Sequence, residues 1–296
     1  MMLVPRDDGT SVSGATGLLG GERIHRARSV DGTEIAGRVQ GQGPPLVLLH
    51  GRLEDGDLCW RMLLPHLVDR FACYLPSTRG RGLSGDSVDH SPKRLLQDVV
   101  AFVESIGEPV GVFGESSGAA LALGAAQTDA VTAVAAYEPT VTGVISEEDR
   151  ATIGEMATAV GRSLERGRPV DGLWRLAEVL GNEQERAAMS HSDFPEAASR
   201  YVPVAMMEFQ QASQSTGPAP TDAGELAKVD VPALVMHGAR TAMRTWVSAS
   251  ARHVADHLPS ARVHEIDGAG HFGPVLGNRH VADEITRFFE VASGPS

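Results

Sequence analysis

The pattern that most constrains this chain is a recurrence of short, mainly apolar runs closed by glycine or proline, PLVLLHG from Pro45, FACYLP from Phe71, PVGVFG from Pro109, VTAVAAYEP from Val131 and VPALVMHG from Val231, followed by the more polar strand-like run ARVHEIDG from Ala261. A run with no alternating polar residue has no face to offer to water, so it suits a strand buried on both sides. Between these runs lie segments with helical spacing, such as PKRLLQDVVAFVESI, with apolar residues at Leu95, Leu96, Val99, Val100 and Val103. CWRMLLPHLVD, SGAALALGAAQ, TWVSASARHVADHL and HVADEITRFFEVA read the same way. Strands alternating with helices predict an α/β fold, a mostly parallel sheet with helices on both faces. Upstream, RIHRARSV, the turn Asp31-Gly32 and TEIAGRVQ predict a hairpin, which brings the expected sheet to eight strands.

Two segments fall outside this rhythm. Residues 1–21 are rich in Gly, Ser and Thr without a sustained period and are expected to form a flexible extension. From Val141 to Leu226 no strand is evident, only helical segments such as EEDRATIGEMATAVGRSLERG and FPEAASRYVPVAMMEFQQA. The expected organisation is a core of residues 22–140 and 227–296, with a helical lid of residues 141–226 over the carboxyl ends of the strands.

Composition excludes several classes. Of 296 residues 42% are hydrophobic, enough for a full core. Asp plus Glu number 38 against 26 Lys plus Arg, and a net charge of −12 repels nucleic acid and anionic membranes. No apolar run reaches the roughly 18 residues of a membrane helix, and the N-terminus lacks a secretory pattern. A soluble, cytoplasmic protein is expected. Cys59 and Cys73 are too few for a disulfide framework or a cysteine-built zinc site. His253 and His257, one helical turn apart, mimic a metal pair but have no evident third ligand, so neither metal nor organic cofactor is expected.

Gly114-Glu115-Ser116-Ser117-Gly118 matches G-x-S-x-G, a weak signal by itself that gains weight from its place between an apolar run and a helical segment. Ser116 would then occupy a tight strand-to-helix turn, with the helix N-terminus facing developing negative charge. The alternative is a glycine-rich turn in which Ser116 is an N-cap. Three further motifs stand at run ends: His50-Gly51, Arg79-Gly80-Arg81-Gly82-Leu83-Ser84 and Gly268-Ala269-Gly270-His271.

From about Arg23 to Ala292 the ordered set resembles the α/β-hydrolase family, serine hydrolases with a helical lid. That resemblance implies Ser116 as nucleophile, His271 as general base, the backbone N–H groups of Arg52 and Ser117 as oxyanion hole, and a bracing role for His50. The chain departs from the family where an Asp commonly follows the seventh strand: His237-Gly238-Ala239-Arg240 leads to Thr241, which carries no charge. Glu138, at the end of VTAVAAYEP, is the first candidate for the missing carboxylate, because some relatives place the acid after the sixth strand. Asp267 is a second, and a site with no acid is a third reading. Ser77, where relatives often have Asp, is expected to affect only the local turn.

The lid's large side chains, Met156, Trp174, Met189, Met206, Met207 and Phe209, would line an apolar tunnel or simply pack helix on sheet. Arg52 and Arg240 are candidates for the pocket mouth, where either a substrate carboxylate or solvent would meet them. The expected function is a cofactor-free serine hydrolase acting on a small or medium apolar ester or related acyl compound. The alternatives are another chemistry on the same scaffold (carbon–carbon, lactone or thioester cleavage, cyclase or lyase) or a ligand-binding protein with a degenerate site.

Overall fold

A computed structural model of the chain describes residues 23–292. The expected extension, residues 1–21, lies outside them. Eight strands form one sheet: β1 (Arg23–Arg28), β2 (Glu34–Gln40), β3 (Pro45–Leu49), β4 (Ala72–Pro76), β5 (Val110–Glu115), β6 (Val131–Tyr137), β7 (Ala233–Gly238) and β8 (Ala261–Ile266). Their spatial order is β1-β2-β4-β3-β5-β6-β7-β8. β2 is antiparallel to both neighbours, and every other pair is parallel.

The apolar runs are explained by what covers each face. On β3, Leu46 and Leu48 point into one core cluster and Val47 and Leu49 into the other. β6 repeats this with Ala133, Ala135 and Tyr137 against Val134 and Ala136. The first cluster is closed by α1 (Gly56–Trp60) and α11 (Arg279–Ala292), the second by α2 (Pro92–Ser105), α3 (Ser117–Ala125) and α10 (Arg244–His257). Period-two burial on both sides removes the polar alternation expected of a half-wet strand.

The helix expected over CWRMLLPHLVD is instead broken. α1 begins earlier, where the Asp55 carboxylate caps it by accepting from Leu58 N–H at 2.7 Å, and it stops at Trp60. A separate 3₁₀ turn follows at Leu64–His66. Pro65 has no N–H to continue an α-helical ladder, so the chain tightens around it.

Between β6 and β7 the chain is helical: α4 (Glu147–Glu165), α5 (Pro169–Leu180), α6 (Glu183–Ser190), α7 (Phe194–Ser199), α8 (Val202–Gln214) and the short α9 (Ala223–Leu226). Ser146 caps α4, and Asn182 with Glu185 forms a capping box on α6. The segment FPEAASRYVPVAMMEFQQA divides into α7 and α8 just before Pro203. Leu173, Leu176, Met189 and Phe194 carry this insertion into the first core cluster. No helix among the described residues is long and apolar enough to cross a membrane.

Candidate active site

Parallel strands end on one edge of a sheet, and ligands of open α/β sheets bind outside those carboxyl ends. The ends of β3, β5, β6 and β7 lead directly into His50-Gly51, Ser116, Glu138 and Gly238, and the loop after β8 carries His271. Among the described residues, Ser116 (φ 53) and Glu138 (φ 45) are the two non-glycine residues with positive φ. Strain of this kind costs on the order of 1–3 kcal/mol and persists only where the surroundings impose it. At Ser116 they do so through its N–H, which donates to Tyr137 C=O at 2.8 Å, and its C=O, which accepts from Thr140 N–H at 3.3 Å. The flanking glycines are obligatory: a Cβ on Gly118 would lie 2.3 Å from Leu49 O, and one on Gly114 would lie 2.3 Å from Gly118 O.

The structure brings His271 and Glu138 together, with His271 Nδ1 2.7 Å from Glu138 Oε2. Glu138 is fixed on both oxygens, since Gly238 N–H donates to Oε1 at 2.9 Å and the Thr241 hydroxyl donates to Oε2 at 3.3 Å. Thr241, at the position where an Asp was expected, thus supports a carboxylate supplied by the neighbouring strand. Burial alone would lower the His271 pKa, but the hydrogen bond and charge of Glu138, aided by the charges of Glu115 and Glu185, hold it up at about 9. Asp267 takes a different place: its carbonyl, not its carboxylate, meets His280 Nδ1 at 3.3 Å. Tyr137 O–H donates to Gly270 C=O at 2.6 Å, and Glu185 of α6 accepts from Phe272 N–H at 2.8 Å, so sheet and insertion both brace the histidine loop.

Arg52, Ser116, Ser117, Glu138 and His271 all line one cavity. Ser117 is the first residue of α3, where an N–H has no intrahelical acceptor. His50 is buried beside them. Its Nε2 accepts from Thr78 N–H at 3.0 Å and its Nδ1 lies 2.6 Å from Gly51 O, so the ring ties the loop after β3 to the loop after β4. Burial, reinforced by the Arg81 charge, pushes its pKa down to about 4, which keeps the ring neutral. Ser77 Oγ accepts from Gly56 N–H at 3.1 Å, so it reaches beyond its own turn and ties the start of α1 to the end of β4.

The sequence did not single out a buried acidic cluster in the wall of the cavity, to which Glu54 and Glu115 both contribute. Ligand-type atoms of Glu54, Cys59 and Glu115 lie within 4.8 Å of one another, the one such group among the described residues spaced to hold a metal ion. Burial pushes the Glu54 carboxyl well above the ordinary range and raises Glu115 to about 7. Protonated acids are poor metal ligands, so near neutral pH the pair carries less than two negative charges. Glu208 of α8 was also missed. It is buried and receives both terminal nitrogens of Arg81, a pair that fastens the insertion to the loop after β4. His253 and His257 stack on α10, where His253 Nε2 lies 2.9 Å from Thr221 O.

The cavity has a volume of about 620 Å³. Its walls combine Ile153, Met156, Leu176, Leu180, Met206 and Phe209 of the insertion with Met243, Trp246 and Val247 of the core. Of the large residues of the insertion considered from the sequence, Met156, Met206 and Phe209 face the cavity. Met189 and Trp174 pack into the core, and Met207 is not among the lining residues. Arg240 is also absent from the lining, its guanidinium donating to Gln184 Oε1 at 2.5 Å.

Comparison with known proteins gives the fold its context. A curated relative, the soluble epoxide hydrolase of Corynebacterium sp. (strain C12), is 33% identical over 103 residues, 34% of this chain and 36% of that protein. The match therefore spans about a third of the relative's length. Among solved structures, an alpha/beta hydrolase from Sphaerobacter thermophilus is 28% identical with a TM-score of 0.70, covering 90% of this chain and 100% of that one. An esterase from Rhodococcus sp. shares the fold at 21% identity and a TM-score of 0.70, over 92% and 99% of the two chains. The profile of the alpha/beta hydrolase family matches residues 46–283, a span that contains all four motifs and the whole helical insertion. With the strand order, the strained serine turn and this match in agreement, the chain belongs to the α/β-hydrolase family.

Proposed function

We propose that the protein is a serine hydrolase that cleaves small or medium, largely apolar esters or related acyl compounds through an acyl-enzyme. The observation that carries this reading is the Glu138–His271 hydrogen bond in the same cavity as a serine held at positive φ. A nucleophilic serine needs a base, and the base needs a group that fixes its tautomer and stabilises the imidazolium. Ser116 Oγ attacks the carbonyl carbon as its proton passes to His271 Nε2. The oxyanion is held by the N–H groups of Arg52 and Ser117. His271 then protonates the leaving alcohol, and water, deprotonated by the same imidazole, releases the acid. Glu138 holds the imidazole in place throughout.

The mainly apolar wall supports an apolar substrate, and the helical insertion that supplies much of it is read as the lid. The organisation of a core of 22–140 and 227–296 around a lid of 141–226 is part of the same proposal, as are the absence of a cofactor and a cytoplasmic setting. A binding-only protein is disfavoured, because a carboxylate fixed on both oxygens and aimed at His271 has no use in a passive pocket. The test is labelling with a fluorophosphonate: intact mass should rise by one adduct in the wild type and stay unchanged in Ser116→Ala. An adduct that persists in the variant contradicts the assignment.

A further inference from the structure

The Arg52 guanidinium shares its facing acid, Glu208, with Arg81. Its side chain lines the cavity, with Cζ 6.0 Å from the Phe209 ring centroid. Its Nε is buried and has no hydrogen-bond partner. The nearest acid is Glu208, but both Glu208 oxygens are engaged by Arg81, and Arg52 Nε stands 3.9 Å away, beyond hydrogen-bond reach. His90 Nδ1 also faces Glu208 Oε1 at 3.8 Å. His90 has a second acid, with Nε2 2.9 Å from Asp86 Oδ1, so the carboxylate that Arg52 faces is chiefly shared with Arg81.

We propose that the Arg52 guanidinium is a carboxylate-binding subsite, so that the esters this enzyme takes best carry a free carboxylate a few bonds from the scissile carbonyl. The proposal rests on the hydrolase reading above, and it gives that reading a substrate class: half-esters of dicarboxylic acids, or esters of hydroxy acids. The guanidinium fork matches a carboxylate in two parallel hydrogen bonds, and the half-buried setting of Arg52 strengthens them. The subsite adjoins the reaction centre because the backbone N–H of the same residue is the proposed oxyanion donor. Burial disfavours the Arg52 charge, and an incoming anion relieves that cost. The nearby acids oppose an anion less than their number suggests: burial pushes the Glu54 carboxyl well above the ordinary range and raises Glu115 to about 7, while Glu138 is engaged with His271. Arg150 lines the same cavity but is exposed, where water screens it.

The test compares esters that carry a terminal carboxylate with neutral esters of the same or similar chain length. On the acyl side the p-nitrophenyl half-esters of succinic and glutaric acid are set against p-nitrophenyl butyrate and valerate. On the alcohol side the butyrate ester of glycolic acid is set against propyl butyrate. At least one carboxylate should raise kcat/KM about 10-fold or more, as charge-assisted hydrogen bonds do. The ratio within a pair should fall to about one in Arg52→Met and be partly kept in Arg52→Lys. Taking the ratio within each variant cancels any general loss of activity. In Ser116→Ala, calorimetry should show monomethyl glutarate binding more tightly than methyl valerate by a similar factor, a readout that needs no turnover.

No preference in any pair, a preference that survives Arg52→Met, or one that is lost instead in Arg150→Gln overturns the subsite. Neutral esters cleaved through Ser116 with a ratio of one would leave the hydrolase reading standing and remove the subsite. Arg52-dependent binding of monomethyl glutarate without turnover of any ester would do the reverse.

Discussion

Glu138→Gln should lower kcat for an activated ester by about 10⁴-fold with little change in KM, because an amide keeps the size of the side chain but not its charge. In the wild type the Glu138 carboxylate faces His271 Nδ1 and is anchored by Gly238 N–H and the Thr241 hydroxyl. The variant should retain its fold, since Gly238 N–H still has an amide oxygen to donate to, and its loss should appear in the chemical step. The pH profile supplies a second readout. His271 accepts the serine proton only when neutral, so wild-type kcat/KM should fall as pH drops through the value of about 9 at which Glu138 holds the imidazole. Removing the Glu138 charge leaves burial to dominate and moves that limb to lower pH. The ratio of wild-type to variant activity should therefore be smallest at the acid end. An unchanged rate in Glu138→Gln, or a limb that does not move, would remove Glu138 from the mechanism.

Ser116→Ala should have the largest effect of any single substitution, a fall in kcat on the order of 10⁶ as seen when a serine protease loses its nucleophile. The residue sits on the one strand-to-helix turn where Gly114 and Gly118 let the backbone close against Leu49 and His50. Alanine is smaller than serine and accepts the same backbone, so thermal stability should hold while activity disappears. A residual rate of 10³–10⁴ over water is expected from the Arg52 and Ser117 N–H groups and from binding alone. A variant that keeps a tenth of the wild-type rate would require a different nucleophile.

The sheet was readable because burial on two faces leaves a trace in sequence. Leu46, Val47, Leu48 and Leu49 serve opposite core clusters in turn, and no polar residue interrupts them. The helix expected across Pro65 is broken because proline has no N–H to extend the ladder, whatever the apolar spacing around it. Ser116 and His271 were marked by glycine-flanked motifs at strand ends, whereas the partner of His271 was not. Thr241 occupies the position where a carboxylate is usual, and only the adjacency of β6 and β7, with Tyr137 paired to Met236, shows that Glu138 reaches the same point in space.

The buried acids were harder still to see. Glu208 lies on α8 between Met207 and Phe209, with Gln210 and Gln211 following, and reads as a solvent residue until Arg81, far away in sequence, is found against it. Glu54 and Glu115 carried a hint in their positions, one shortly after His50-Gly51 and the other inside the serine turn, but burial among apolar neighbours is a tertiary property. Glu185 was legible as the third residue after Asn182 in a capping box, yet its contact with Phe272 N–H, beside the histidine, depends on how the insertion folds back.

The central claim is that Ser116 carries the acyl group. Rapid acid quench of the enzyme during its first turnovers of p-nitrophenyl butyrate, followed by peptide mass spectrometry, tests it directly. A butyryl group on the peptide containing Ser116, formed with a stoichiometric burst of nitrophenol and lost with the steady-state rate, is the expected result. Turnover that depends on His271 but leaves Ser116 unmodified at every quench time, or an acyl group on another residue, would contradict it.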